Sequence, residues 1–163
     1  MGRQGIIFDL DMTLVDTSNL ASLRKQRLWK QVYSHIAETA TFPGVGELIR
    51  ELSEIYKVGV VTTSPRPYAE RVVQFHSLPI SVLAAYHDTA NHKPHPEPLL
   101  YACQILGLAP SMTVSIGDEL SDFKASSSAG MEYFHALWSG NNSSGVPQGI
   151  CCKSVSDLRD RLL

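Results

Sequence analysis

Two carboxylates stand two residues apart near the start of the chain, in the stretch IIFDLDMTLVD from Ile6 to Asp16. An apolar run leads into Asp9, and Asp11 follows after one leucine. A charge at the end of a buried strand is costly unless it is paired, hydrogen-bonded or metal-bound. The chain offers partners of the needed kinds. Thr62 and Thr63 follow the apolar run VGVV, Lys93 stands in NHKPHPEP, and Gly117, Asp118 and Asp122 follow TVSI. Carboxylate oxygens suit a hard cation such as Mg2+, while an ammonium and hydroxyls suit a phosphate.

A scaffold must bring these residues together. Buried strands are expected at Gly5–Leu10, Lys57–Val61, Ser81–Ala85, Thr113–Ile116 and Tyr133–Leu137. Between them, Val45–Ile55, Tyr68–His76 and Glu97–Leu106 carry apolar residues at helical spacing. Leu120–Ala129 is a further helix with Gly130 as its C-cap, and Ser156–Leu163 closes the chain with Ser154 or Ser156 as N-cap. Ser139–Gly149, rich in Gly, Asn, Ser and Pro, reads as a loop. Strands alternating with helices predict a parallel sheet covered on both faces. In such sheets ligands bind beyond the carboxyl ends of the strands, where the residues named above fall.

The 163 residues are 44% hydrophobic and 18% charged with net charge -2, which suits one globular domain over 1–163 and disfavours a nucleic-acid binder. No apolar run approaches the roughly 20 residues of a membrane span, and the N-terminus does not read as a signal peptide. Three cysteines, two of them adjacent at Cys151 and Cys152, make a poor disulfide framework and no zinc spacing. A cytoplasmic location is the expectation.

Four segments together carry a resemblance. Asp9, Asp11 and Thr13 form DxDxT; Thr62 ends an apolar strand; Lys93 precedes a proline and a helix; Gly117, Asp118 and Asp122 form GDxxxD. In this order the chain resembles the haloacid dehalogenase-like hydrolases, in particular their phosphoglycolate-phosphatase-like branch. The resemblance implies a Rossmann-like three-layer αβα sandwich with a central parallel sheet. It also implies an Mg2+-dependent phosphatase acting on a phosphomonoester. Asp9 would be the nucleophile forming an aspartyl-phosphate and Asp11 the general acid and base. Thr62 and Lys93 would hold the phosphoryl group. Asp9, the backbone carbonyl of Asp11, and Asp118 would hold the metal.

Other residues read two ways. Thr63, Arg66 and Asp122 could touch the phosphate or substrate. Thr63 could equally cap a helix, Arg66 be a solvated first-turn residue, and Asp122 bind loop backbone. Asp16, Thr17 and Ser18 read as helix caps, His92 and His95 as loop polarity, and Gly117 as a residue that lets the strand turn. Met12 stands where the family usually has glycine, either packing under the next helix or facing the substrate.

The insert at about 17–42 is short for the family and reads as a minimal helical cap, one long helix or a helical hairpin. Leu20, Leu23, Leu28, Val32 and Ile36 would form an apolar stripe beside Trp29 and Tyr33, with Arg24, Lys25, Arg27 and Lys30 on a solvated face. Its expected role is substrate size or homodimer pairing, not chemistry. A phosphorylated small molecule is the expected substrate. A macromolecular target (a nucleic-acid end or phosphoprotein) and a non-catalytic binding protein are the alternatives.

Overall fold

The computed structural model describes residues 2–163. The chain opens with β1 (Gly5–Phe8), β2 (Val15–Asp16), α1 (Ala21–Lys25), α2 (Trp29–Ser34) and β3 (Ala40–Thr41). It continues through α3 (Val45–Ser53), β4 (Lys57–Val61), α4 (Arg66–Phe75), β5 (Val82–Ala84) and α5 (Glu97–Leu106). It ends with β6 (Thr113–Gly117), α6 (Leu120–Ala129), β7 (Glu132–Ala136), β8 (Cys151–Cys152) and α7 (Val155–Leu162).

Six strands form one parallel sheet in the order β5-β4-β1-β6-β7-β8. Successive side chains of a strand point to opposite faces. Ile6 and Phe8 of β1 accordingly join a core with Val58, Val60, Val114 and Ile116, under α3, α4 and α7. Ile7 joins Val61, Val82 and Ala84 on the other face, under α5 and α6. Burial on both faces explains why these strands read as unbroken apolar runs. In α3, Val45, Leu48, Ile49 and Leu52 are buried. Each such side chain contributes roughly 1.5–3 kcal/mol. Helices α5 and α6 stop at Gly107 and Gly130, whose φ of 67° and 71° suits glycine. Ser154 caps α7 by accepting from the Asp157 amide at 3.1 Å.

Three features depart from the expectation. Cys151 and Cys152, next to the predicted loop, form the sixth strand against His135 and Ala136. All three cysteines are free and buried, and burial pushes the Cys152 thiol up to about 11. Thiolate chemistry is disfavoured there. A two-residue antiparallel ribbon pairs Val15 with Thr41 and ties the ends of the 17–42 segment together. That segment is not one long helix but two short ones, α1 and α2. The chain breaks between α1 and α2 at Arg27, with φ 57°. Its apolar stripe is split: Leu20, Val32 and Ile36 are buried, while Leu28 is 38% exposed. Among the described residues, no helix is long and apolar enough to cross a membrane.

Candidate active site

Strand order reverses at β1, which lies between β4 and β6. Chains leaving these strands diverge to opposite sides and open a crevice at the carboxyl edge. Asp9 extends β1 by one step, its amide donating to the Ile116 carbonyl at 2.8 Å. The Thr62 amide extends β4 in the same way, donating to Ala84 at 2.9 Å. The first carboxylate and the threonine are therefore held by sheet ladders.

Lys93 links three segments. Its Nζ donates to Asp9 Oδ1 at 2.9 Å, to Asp122 Oδ1 at 2.6 Å and to the Val61 carbonyl at 3.1 Å. Its side chain is only 5% exposed. Burial opposes the ammonium charge, but Asp122 and Asp9 outweigh it and hold Lys93 protonated well above its ordinary range. Asp122 Oδ2 accepts from the amides of Asp118 at 3.2 Å and Glu119 at 3.0 Å. Asp122 thus binds loop backbone, one of the two readings of this residue, and it also orients the lysine. Gly117 does more than let the strand turn. A Cβ there would sit 2.4 Å from the Asp122 carboxyl carbon.

Asp118 is buried and accepts from Thr13 Oγ1 at 3.0 Å and from Asn141 Nδ2. Burial, then the charge of Asp122, pushes Asp118 up to about 6. Burial also drives Asp9 well above the usual carboxylate range; Lys93 opposes this and the neighbouring carboxylates add to it. Oxygens of Asp9, Asp118 and Asp122 lie within 4.8 Å of one another. Three carboxylates against one ammonium leave an excess of negative charge, and the donors are hard oxygens. Both features fit a divalent cation such as Mg2+. Asp122 is engaged by Lys93 and two amides, so Asp9 and Asp118 are the better placed ligands.

The carboxylate of Asp11 accepts from Thr17 Oγ1 at 2.8 Å, Tyr68 OH at 2.6 Å and Ser64 Oγ at 2.9 Å. Arg24 of α1 grips both of its oxygens, at 3.1 Å and 3.2 Å, and also reaches Ser64 Oγ at 2.7 Å. The guanidinium lies 4.7 Å from the centre of the Tyr68 ring. Arg24 is thus not part of a solvated basic face, although Lys25, Arg27 and Lys30 are exposed.

A cavity of about 170 Å³ is lined by Asp9, Asp11, Met12, Arg24, Thr62, Thr63, Lys93, Glu119, Ser121 and Asp122. Arg66 lies outside this group. Its guanidinium is held by Glu70, by the Leu83 carbonyl and by Asp88. His92 stacks on Tyr86 with ring centroids 3.9 Å apart, and His95 Nδ1 accepts from the Glu97 amide. Asp16 binds Ser18, as a cap would, whereas Thr17 turns to Asp11. Met12 has φ 65°, the left-handed conformation that glycine favours, and both packs against the core and lines the cavity. Sequence reasoning missed Arg24, Ser64, Tyr68 and Asn141 as site residues. Only Ser64, next to the threonines at a strand end, carried a positional signal.

Comparisons with known proteins agree with this architecture. Phosphoglycolate phosphatase of Shigella boydii is 32% identical over 110 residues, which span 64% of this chain and 44% of the relative. That of Salmonella choleraesuis is 34% identical over 112 residues, with the same shares. The match thus spans less than half the length of these curated relatives. A Lactobacillus plantarum chain provisionally described as a phosphoglycolate phosphatase superposes with a TM-score of 0.85 at 21% identity, covering 98% of this chain and 99% of that one. A HAD phosphatase from Thermococcus onnurineus gives 0.83 at 20% identity, covering 98% and 97%. At such identities the likeness is one of fold. The sequence model of the haloacid dehalogenase-like hydrolases matches residues 21–136, a span that holds Thr62, Lys93 and Asp118 and begins after Asp9 and Asp11. With most of the chain matched, the protein belongs to the haloacid dehalogenase-like hydrolase family.

Proposed function

We propose that this chain hydrolyses a small phosphomonoester through an aspartyl-phosphate on Asp9. The observation that carries the reading is Lys93 bridging Asp9 and Asp122 at the sheet's switch point, with Asp118 beside them. That arrangement presents a nucleophilic carboxylate, a fixed cation and oxygen ligands around one small cavity. Asp9 attacks phosphorus, and the bond to the leaving oxygen breaks as Asp11 gives that oxygen a proton. Asp11 then takes a proton from water, which attacks the aspartyl-phosphate and releases phosphate. Lys93 neutralises charge on Asp9 and on the transferring group, and Thr62 supplies a hydroxyl donor. Asp9, Asp118 and the backbone carbonyl of Asp11 would hold Mg2+, which would add further charge neutralisation at the phosphoryl oxygens.

The 17–42 segment is a minimal cap in this reading. The cavity of about 170 Å³ suits a small phosphorylated metabolite better than a nucleic-acid end or a phosphoprotein. The relatives named phosphoglycolate phosphatase support the same class. Hydrolysis of p-nitrophenyl phosphate with and without Mg2+ tests the reading. Wild type should turn over only with the metal, and Asp9→Asn should abolish turnover while leaving circular dichroism unchanged. An amide cannot form the acyl-phosphate, so wild-type hydrolysis by this variant would sink the assignment.

A further inference from the structure

Asp11 is oversupplied with donors. A carboxylate offers roughly four lone-pair sites. Thr17, Tyr68 and one Arg24 nitrogen crowd Oδ1, while Ser64 and a second Arg24 nitrogen occupy Oδ2. No proton can pass between Asp11 and a leaving oxygen or water until a donor withdraws. Tyr68 is fully buried in α4, and Ser64 is buried in the turn between β4 and α4. Arg24 differs from them. It has a long flexible stem on a five-residue helix, and its side chain is 24% exposed. Its Nε is buried and, among the described residues, has no hydrogen-bond partner. The other cation lining the cavity, Lys93, is engaged by Asp9 and Asp122. Arg24 is therefore the cation best able to follow a second negative charge. It also stands beside the leaving group, because Asp11 must reach the leaving oxygen.

We propose that Arg24 exchanges between Asp11 and a second anionic group on the leaving side of the substrate, reading that charge and releasing Asp11 in one movement. The inference rests on the phosphomonoesterase reading above. It narrows the substrate class to small phosphomonoesters that carry a carboxylate or a second phosphate close to the ester oxygen. It also gives the short insert a part in the reaction, where the sequence suggested only size selection or pairing.

The test compares kcat/KM for ethyl phosphate, phosphoglycolate and ethane-1,2-diyl bisphosphate in the Mg2+-loaded enzyme. Wild type should prefer at least one anionic ester, and which one distinguishes a carboxylate from a phosphate. Arg24→Gln should reduce that preference by about ten- to a hundredfold, the range for charged hydrogen bonds. Arg24→Lys keeps the charge but lacks the planar fork, so it should retain part of the preference. It also keeps the measurement available if the glutamine variant fails to fold. An equal loss on all three esters would reduce Arg24 to a brace for Asp11 and overturn the proposal. So would a wild type indifferent to the second charge. A wild type that hydrolyses neither these esters nor p-nitrophenyl phosphate refutes instead the phosphatase reading beneath it.

Discussion

Replacing Gly117 by alanine should break the site from behind, without touching a residue that contacts substrate. The new Cβ would lie 2.4 Å from Asp122 Oδ2 and 2.5 Å from its Cβ. Ordinary contact needs about 3.4 Å or more, so Asp122 must move by roughly 1 Å. Its bond to Lys93 is 2.6 Å long, and its bonds to the amides of Asp118 and Glu119 are 3.2 Å and 3.0 Å. A shift of that size carries all three past useful hydrogen-bond length. Lys93 and Asp122 are each 5% exposed. Breaking a buried pair of this kind costs about 3–5 kcal/mol. Urea unfolding of the metal-free protein should show that loss, with a melting temperature lower by roughly 10 °C. Turnover should collapse as Lys93 loses its anchor. Asp122→Gly removes all three clashing atoms, the Cβ included, so Gly117→Ala in that background should cost less than about 1 kcal/mol. Full cost in both backgrounds, or little cost in either, would refute the argument that Gly117 clears space for Asp122.

Three further outcomes are expected. Asp118→Ala should raise the Mg2+ concentration needed for half-maximal hydrolysis, and an unchanged titration would reject it as a ligand. Ser77→Gly should stabilise the fold by up to ~1 kcal/mol, measured by thermal melting. Ser77 sits exposed with φ 50° just beyond α4, where Leu78 bonds back to Val73 in the manner of a glycine-capped helix. His135 is fully buried between Tyr133 OH and the Asn142 carbonyl, and burial lowers it below its ordinary 6.5. The unfolded chain binds a proton that the folded ring refuses, so this residue's contribution is whole above 6.5 and falls as pH drops through the interval beneath it. The stability difference between wild type and His135→Gln should therefore shift against wild type on going from about pH 7.5 to 5.5; the comparison cancels the carboxylates.

Much of this site is legible in the sequence for a physical reason. Asp9, Thr62 and Asp118 each follow a strand buried on both faces. Such a strand reads as an apolar run, and its end marks the sheet edge without any knowledge of pairing. Lys93 is harder to place from periodicity, because it lies in a loop among histidines and prolines; the order of the four segments supplied its place. The missing elements lack any local signature. Two residues of β8 are too few to show a period, and Cys151–Cys152 looks like an isolated pair. The break at Arg27 has neither glycine nor proline to announce it. The demand on Gly117 arises from a carboxylate in the next helix, so it exists only once Asp122 has been placed against it.

Arg24 marks where composition stops being informative. Arg24, Lys25, Arg27 and Lys30 form one basic run, and nothing in residue type separates the first from the others. Packing separates them. Trp29 sets its ring 6.1 Å from that of Tyr68, and Leu20 and Val32 are buried in the core beneath the segment. With those anchors in place, the side chain of Arg24 is carried across Tyr68 and onto Asp11, while its neighbours stay in water. The apolar residues of the insert therefore do more than cover the sheet. They fix the direction of the Arg24 charge that meets the proposed acid–base residue, so that losing Trp29, which packs on Tyr68, should disturb the Arg24–Asp11 pair.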